Sequence, residues 1–173
     1  MRRLAFPVIV LAALALPGLA GAQLKIGYVD LQRALNEVQE GKAAKERLKA
    51  RLEKSQSQLD KEQEALRAKK EELDKKRLAM DEATLRQRME ELDKELVRVS
   101  NLYAQLQREL AEEERKATQE IFGRMRKIIA QIAEKEGFDF VFEVNESGLL
   151  HAPSALDITN ELVRRYDATY KVK

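Results

Sequence analysis

Residues 85–110 read LRQRMEELDKELVRVSNLYAQLQREL, and their apolar members recur at alternating steps of four and three residues. This heptad spacing is typical of a helix that packs along a partner helix. No glycine or proline occurs between Lys42 and Phe122, and residues with high helix propensity fill that stretch. The spacing predicts a helix seam made of Leu85, Met89, Leu92, Leu96, Val99, Tyr103, Leu106 and Leu110.

The first half of this stretch has a second, weaker apolar pattern. One apolar residue recurs every seven positions, at Leu52, Leu59, Leu66, Leu73 and Met80, and the seam positions between them are polar. The step from Met80 to Leu85 spans five residues and fits neither heptad step. We interpret this break as a turn near residues 80–84, where Thr84 with Gln87 forms a candidate capping box that restarts the helix.

The charge distribution favours a hairpin. Residues 42–80 contain 13 basic and 8 acidic side chains, whereas residues 81–120 contain 7 basic and 11 acidic ones. A basic helix beside an acidic one is attractive, although each exposed ion pair contributes only about 0.3–0.5 kcal/mol. The sequence therefore predicts an antiparallel coiled-coil hairpin arm over residues 41–120. One continuous rod of twice its length is the alternative.

The two ends of the chain, residues 23–40 and 121–173, predict a split body from which the arm projects. At the N-terminal end, residues 24–29 have the pattern of a short strand, and Asp30 is placed to cap a helix. A body of about 70 residues is marginal for a stable core of its own. We therefore expect several chains to pool their bodies in an obligate oligomer.

The C-terminal end contributes the larger share of this body. An apolar helix face is followed by Gly137 as a stop signal, a strand over residues 138–144 and a further strand over residues 149–152. Asp157 is placed to cap a final helix. The predicted oligomer core consists of Ile26, Tyr28, Phe138, Phe140, Phe142, Val144, Ile158 and Leu162. The expected fold class is mainly α, with long hairpin arms that project from a short-stranded, oligomeric β core.

Residues 1–22 have the pattern of a cleaved signal peptide. The segment starts with two arginines, continues with an apolar run over residues 4–16 and ends in the small residues of Ala20–Ala22. A membrane anchor is the alternative, but the run is shorter than the about 20 residues that a transmembrane helix needs. We expect a soluble protein that acts outside the cytoplasm, where ATP is not expected.

The composition argues against several kinds of chemistry. There is no cysteine, His151 is the only histidine, and no glycines cluster into a phosphate-binding loop. We predict no metal, no cofactor and no catalytic group, with His151 as an ordinary strand residue and the phenylalanines of residues 138–142 as a core face. Removal of the two signal-peptide arginines leaves 30 basic against 30 acidic side chains, which argues against a general nucleic-acid binder.

Two end motifs flank the charged helical stretch. Residues 26–35 read IGYVDLQRAL, and residues 155–159 read ALDIT and are followed by Val163 and Tyr166. With the two motifs at the ends of the charged helical stretch, the chain resembles the Skp/OmpH family of periplasmic chaperones. The resemblance implies a homotrimer whose bodies join in a small β core, with three helical hairpins around a cavity that holds unfolded outer-membrane proteins without ATP. The near-neutral mature chain departs from the basic character of many members, which puts strong attraction to anionic lipid in doubt.

The end of the predicted arm carries the densest basic patch. The candidate client contacts there are Lys69, Lys70, Lys75, Lys76, Arg77, Leu78 and Met80. The basic residues either attract acidic client segments or lipid head groups, or form a solvated helix face. Leu78 and Met80 either close the hairpin or stay exposed for clients, since methionine adapts to varied surfaces.

Three functional interpretations compete. The leading one is an ATP-independent holdase for unfolded outer-membrane proteins, which is not an enzyme. The second is a structural spacer, or an adaptor for one folded periplasmic partner, and the polar first seam argues against a rigid spacer. The third is a binder of anionic surfaces, and the zero net charge of the mature chain argues against it.

Overall fold

Local sequence signals place the helices and strands of this chain. A computed structural model describes residues 24–172, so the predicted signal peptide, residues 1–22, lies outside the described residues. The elements are β1 (Ile26–Val29), α1 (Leu31–Glu37), α2 (Gln39–Lys76), α3 (Glu82–Glu136), β2 (Phe140–Glu143) and α4 (Thr159–Thr169), with 3-10 turns at Arg77–Ala79 and Ser154–Leu156. Within residues 24–172, no helix is both long and apolar enough to cross a membrane.

The helices α2 and α3 lie antiparallel and form the predicted hairpin arm. Arg51 of α2 contacts Glu109 of α3 at 2.8 Å, and Lys69 contacts Glu95 at 2.9 Å. The residue numbers on α3 fall as those on α2 rise, so the two helices run in opposite directions. The hairpin is confirmed, and the alternative of one continuous rod is wrong.

The turn of the hairpin lies at residues 77–81, after the end of α2. One 3-10 turn is followed by Met80, whose backbone is extended, and α3 begins after Asp81. The carboxylate of Asp81 accepts a hydrogen bond from the backbone amide of Thr84 at 2.9 Å. The prediction of Thr84 as the cap is wrong, because Asp81 takes that position and Thr84 is its donor.

The helix α3 continues without a break from the arm into the body. Its C-terminal part buries Ile121, Met125, Ile128 and Ile132. Gly137 ends the helix in the left-handed conformation, with a φ of 70°, and its amide donates to the carbonyl of Ala133. The predicted stop signal is confirmed, because a residue with a Cβ is strained at this φ.

The body contains one two-stranded parallel sheet. Ile26 lies opposite Phe140, and Tyr28 lies opposite Phe142. The strand predicted at residues 149–152 is absent. The neighbour of β1 in its place is Asp157, which forms an isolated β-bridge with Tyr28. Parallel strands need a long connection, and here the whole arm is that connection.

The apolar core of the body lies on one side of this sheet, between the helices. Asp30 caps α1 as predicted, since its carboxylate accepts the amide hydrogen of Arg33 at 2.8 Å. The helix α4 packs its apolar face into the same core as Val29 and Ile128. Ile158 and Leu162 are buried there at 6% and 0% exposure, so they stabilise the single chain and have no surface left for a second one. Their assignment to an interchain core is corrected accordingly.

Candidate functional site

The arm is held together by one apolar stripe on each helix. Leu59 and Leu66 of α2 share a cluster with Val99 and Leu106 of α3. In the predicted α3 seam, the buried or half-buried residues are Leu85, Leu92, Val99, Leu106 and Leu110. Four of these five recur every seven residues, so the interface between the helices is a narrow line.

The second row of the predicted α3 seam lies on the surface. Met89, Leu96 and Tyr103 are 55%, 57% and 51% exposed. Their assignment to the seam is wrong, because α2 has the exposed polar residues Gln56 and Gln63 between its leucines and covers only one row of α3. The arm therefore displays large apolar side chains that its own fold does not bury.

Ion pairs cross the arm beside the apolar stripe. Arg98 of α3 binds Glu62 of α2, and it also binds Glu95 of its own helix at 2.6 Å. These hydrogen bonds raise the pKa of Arg98, while hydrogen bonds from Arg98 and Lys69 lower the pKa of Glu95. Arg98 and Lys69 are exposed and the two glutamates are half-buried, so the pairs fix the register of the two helices more than they stabilise the arm.

A cleft of about 620 Å³ opens between the two helices near the tip of the arm. Of the candidate client contacts, Lys69, Lys76 and Met80 line this cleft. Lys69 and Lys76 bind the carboxylates of Glu95 and Glu72, so their charges are already partnered. The remaining candidates are exposed on the helix and turn surface: Lys70, Lys75, Arg77 and Leu78.

The outer face of the sheet is apolar and open. Phe140 is 53% exposed, and its ring stacks on that of Phe142 with centroids 6.4 Å apart. Ile26 on the paired strand is also exposed, and Tyr28 is half-buried. The four alternating positions share one side of the two strands, and residues 24–172 leave the two phenylalanines 53% and 42% exposed.

Two further members of the predicted oligomer core, Phe138 and Val144, lie just before and just after β2 in the chain. Phe138 is half-buried, and the ammonium group of Lys25 lies 4.2 Å from the centre of its ring. Val144 is half-buried, and its amide donates to the carbonyl of Val29 at 3.0 Å. Four of the eight predicted residues therefore lie on the open face and Val144 follows β2, whereas Phe138, Ile158 and Leu162 pack into the core of the single chain.

A polar cluster joins three helices at the base of the arm. The hydroxyl of Tyr166 on α4 donates to the carboxylate of Glu40 on α2 at 2.6 Å. Arg124 on α3 binds the same carboxylate, and its guanidinium lies 5.3 Å from the ring centre of Tyr170. Burial and the nearby Glu40 carboxylate raise the pKa of Tyr166, and the hydrogen bond to Glu40 raises the pKa of Arg124. The sequence gives no local signal for this cluster, because 126 residues separate Tyr166 from Glu40.

The two glycines beside this cluster have different environments. A Cβ on Gly41 of α2 would lie 1.8 Å from the carbonyl oxygen of Leu35, so only glycine fits there. A Cβ on Gly123 of α3 would meet no atom within 4 Å. Glycine is required at the first position by close packing, whereas at the second it only weakens a long helix.

The only histidine has no partner residues that suggest chemistry. His151 is exposed and lies in an irregular segment, so its predicted place in a strand is wrong. Among residues 24–172, no three histidine, aspartate or glutamate side chains converge on a point that could hold a metal ion. The features that distinguish this surface are the open sheet face and the exposed row on α3.

Comparison with known proteins fits this architecture. The sequence profile described as outer membrane protein (OmpH-like) matches residues 25–166. This chain belongs to the OmpH-like family. A crystal structure of an OmpH-like protein from Caulobacter crescentus CB15 superposes with a TM-score of 0.80 at 23% identity, over 88% of this chain and 89% of that one. Among curated proteins, no match was found. The OmpH-like fold thus accounts for the long hairpin and the small sheet together.

Proposed function

We propose that this OmpH-like protein is an ATP-independent holdase that acts in the periplasm as a homotrimer. In this proposal the bodies of three chains join through their open sheet faces. The three arms then enclose a space in which an unfolded outer-membrane protein is held by many weak contacts. No catalytic step is part of this mechanism.

The observation that carries the proposal is the apolar surface left exposed on both the sheet and the arm. Phe140 and Phe142 lie exposed on the sheet, and Met89, Leu96 and Tyr103 lie exposed on the arm. Removal of apolar surface from water contributes about 25 cal/mol per Å², from which the entropic cost of association is subtracted. Contiguous apolar surface on a soluble protein marks an interaction site, so the sheet face favours self-association and the arm favours client contact.

The weak core of the arm supports holding rather than rigid spacing. Only Leu59, Val99 and Leu106 form its buried cluster, although α2 alone is 38 residues long. A helix pair with so few buried contacts opens at a low free-energy cost, so the arms can adjust to clients of different size. The family and the Caulobacter relative support a chaperone role, since that relative is provisionally described as an outer membrane chaperone.

The exposed basic residues near the tip have a secondary role in this proposal. Lys70, Lys75 and Arg77 attract acidic client segments or anionic lipid head groups weakly, and salt screens this attraction over about 10 Å at 0.1 M. Exchange of the three for glutamine is expected to remove the salt dependence of client binding and to leave most of the affinity. A large loss of affinity at high salt would contradict this minor role.

The proposal is tested by light scattering. A urea-unfolded outer-membrane β-barrel protein is diluted into buffer without nucleotide, with or without purified residues 23–173. The expected result is suppression of aggregation at about one oligomer per client. If aggregation is unchanged while the protein is folded and oligomeric, the spacer or adaptor function is favoured instead.

A further inference from the structure

A cavity lies at the base of the arm, beside the contact of Tyr166 with Glu40. Its volume is about 460 Å³, which is within the range of small-molecule sites. Three parts of the chain surround this base cavity: Glu40, Ala43 and Arg47 on α2, Arg124 on α3, and Thr169–Val172 at and after the end of α4. Residues 40, 43 and 47 are three and four positions apart, so they line the cavity from one face of α2.

The base cavity carries an excess of positive charge. Its charged side chains are three cations, Arg47, Arg124 and Lys171, and one carboxylate, Glu40, which leaves a net charge of two positive units. The Glu40 carboxylate already binds Arg124 and accepts the hydroxyl of Tyr166 at 2.6 Å. Within residues 24–172, neither Arg47 nor Lys171 forms an ion pair. Two cationic groups therefore line one cavity without a counter-charge.

The cleft near the tip of the arm has the opposite arrangement. There Lys69 binds Glu95 at 2.9 Å and Lys76 binds Glu72 at 2.7 Å. The other three cations that line the tip cleft also have glutamate partners. The fold thus neutralises the cations of the tip cleft with its own carboxylates, whereas it leaves those of the base cavity available to an external anion.

We propose that the base cavity binds a small soluble oxyanion with two or more negative charges, of the phosphate or carboxylate class. The guanidinium group of Arg47 and the ammonium group of Lys171 provide the charge, since both groups form charge-assisted hydrogen bonds with such oxygens. The phenol of Tyr170 lines the same cavity and can donate a further hydrogen bond. The inference does not depend on the holdase function, because the cavity lies apart from the sheet face and the exposed row of α3.

A bound anion connects parts of the chain that meet only at the base of the arm. Arg47 belongs to α2, which begins after the extended residue Val38, whereas Lys171 follows the last helix of the body. Like charges around one cavity repel each other, and an anion between them replaces this repulsion with attraction. Since the anion binds only the folded chain, it stabilises that chain and reduces local opening where α2 joins the body.

Thermal unfolding of residues 23–173 tests this binding, with pyrophosphate or citrate at millimolar concentration and constant ionic strength. A tenfold excess of either anion over its Kd is expected to raise the Tm by about 3–5 °C. The variant Arg47→Gln, Lys171→Gln is expected to bind both anions at least about tenfold more weakly, because it removes the two unpaired charges. Both positions are exposed, so the variant should fold.

The matched control is Lys49→Gln, Lys135→Gln, which removes the same charge at exposed positions that do not line the base cavity. Phosphate and citrate also stabilise proteins in general, because they are excluded from the protein surface. This general effect is the same in the control and in the cavity variant. The difference between their Tm shifts therefore measures binding at the cavity alone.

Hydrogen exchange followed by mass spectrometry locates the bound anion. Pyrophosphate is expected to slow exchange in residues 39–48 and 166–172 and to leave residues 85–110 unchanged. Vesicles of phosphatidylglycerol present the same chemistry as a lipid head group. They are expected to bind the wild type and the cavity variant equally, because a small enclosed cavity favours a soluble anion.

Three results would overturn the inference. The first is a wild-type Tm that neither pyrophosphate nor citrate raises, or a cavity variant that responds to them as the control does. The second is slower exchange spread evenly along the chain, which a nonspecific ion atmosphere produces. The third is vesicle binding that only the cavity variant loses, which would assign the cavity to a lipid head group instead.

Discussion

The hydroxyl of Tyr166 lies 2.6 Å from the carboxylate of Glu40, although 126 residues separate them in the chain. This contact connects the last helix of the body to the first turn of the arm. Arg124 binds the same carboxylate from the second helix of the arm. The carboxylate of Glu40 therefore joins both helices of the arm to the last helix of the body.

Removal of this hydroxyl is expected to destabilise the body. The variant Tyr166→Phe should lower the free energy of unfolding by about 2 kcal/mol, since a hydrogen bond to a charged group contributes about 1.5–3 kcal/mol. Urea unfolding followed by circular dichroism measures the change. The control is Tyr170→Phe, whose ring contacts that of Tyr166 at 5.0 Å but whose hydroxyl forms no hydrogen bond among residues 24–172. Equal losses in the two variants would contradict the assigned role.

The same tyrosine predicts a loss of stability at alkaline pH. Burial and Glu40 raise the pKa of Tyr166 above its ordinary value of 10.0. Above pH 10 the unfolded chain releases this proton while the folded chain keeps it, so the unfolded state is favoured as pH rises. The difference in unfolding free energy between the wild type and Tyr166→Phe should shrink by about 1.4 kcal/mol per pH unit above that point. A difference that stays constant from pH 8 to pH 11 would exclude this linkage.

The two glycines at the base of the arm should respond in opposite ways to alanine. Gly123→Ala should raise the free energy of unfolding by about 0.5–1 kcal/mol, since it adds helix propensity where nothing contacts the new methyl group. Gly41→Ala should lower it, because the methyl group would meet the carbonyl oxygen of Leu35. Thermal unfolding of both variants gives the two signs. Stabilisation by alanine at position 41 would show that residue 41 does not pack closely against the carbonyl oxygen of Leu35.

The two rows of the arm seam should differ in their contribution to stability. Leu106→Ala removes a buried side chain and should cost about 2–3 kcal/mol, whereas Leu96→Ala removes an exposed one and should cost less than about 0.5 kcal/mol. Hydrogen exchange of amides in residues 85–110 reports on the arm itself. Equal effects of the two leucine substitutions would mean that both rows are buried in solution.

The hairpin could be predicted from the sequence because its signals are local. The five-residue step from Met80 to Leu85 breaks the heptad phase, and Asp30 and Gly137 mark helix ends through capping chemistry. The choice between the two apolar rows of α3 could not be predicted, because it depends on how far α2 reaches around its partner. A repeat in one helix does not reveal how many of its positions the other helix covers.

The sequence predicts which apolar residues belong to the body better than it predicts which of them contact each other. Ile158 and Leu162 have the same apolar character as Phe140 and Phe142, yet the first two are buried within the chain and the last two are exposed. The difference arises from the packing of α4 against α1 and α3, which involves residues far apart in sequence. The bridge between Tyr28 and Asp157, and the contact of Glu40 with Tyr166, have no local signal for the same reason.

The central claim is that an oligomer, joined through the open sheet face, holds the client. Phe140→Asp places a charge on that face at a position 53% exposed in the single chain, so each chain should stay folded. Leu150→Asp, at a fully exposed position outside the sheet, is the matched control.

The decisive measurement is the mass of each protein by light scattering, alone and with one unfolded β-barrel client. The account predicts a wild-type and Leu150→Asp trimer that binds one client, and a folded Phe140→Asp monomer that fails to prevent client aggregation. A Phe140→Asp chain that remains a trimer, or a monomer that holds the client as well as the wild type does, would contradict it.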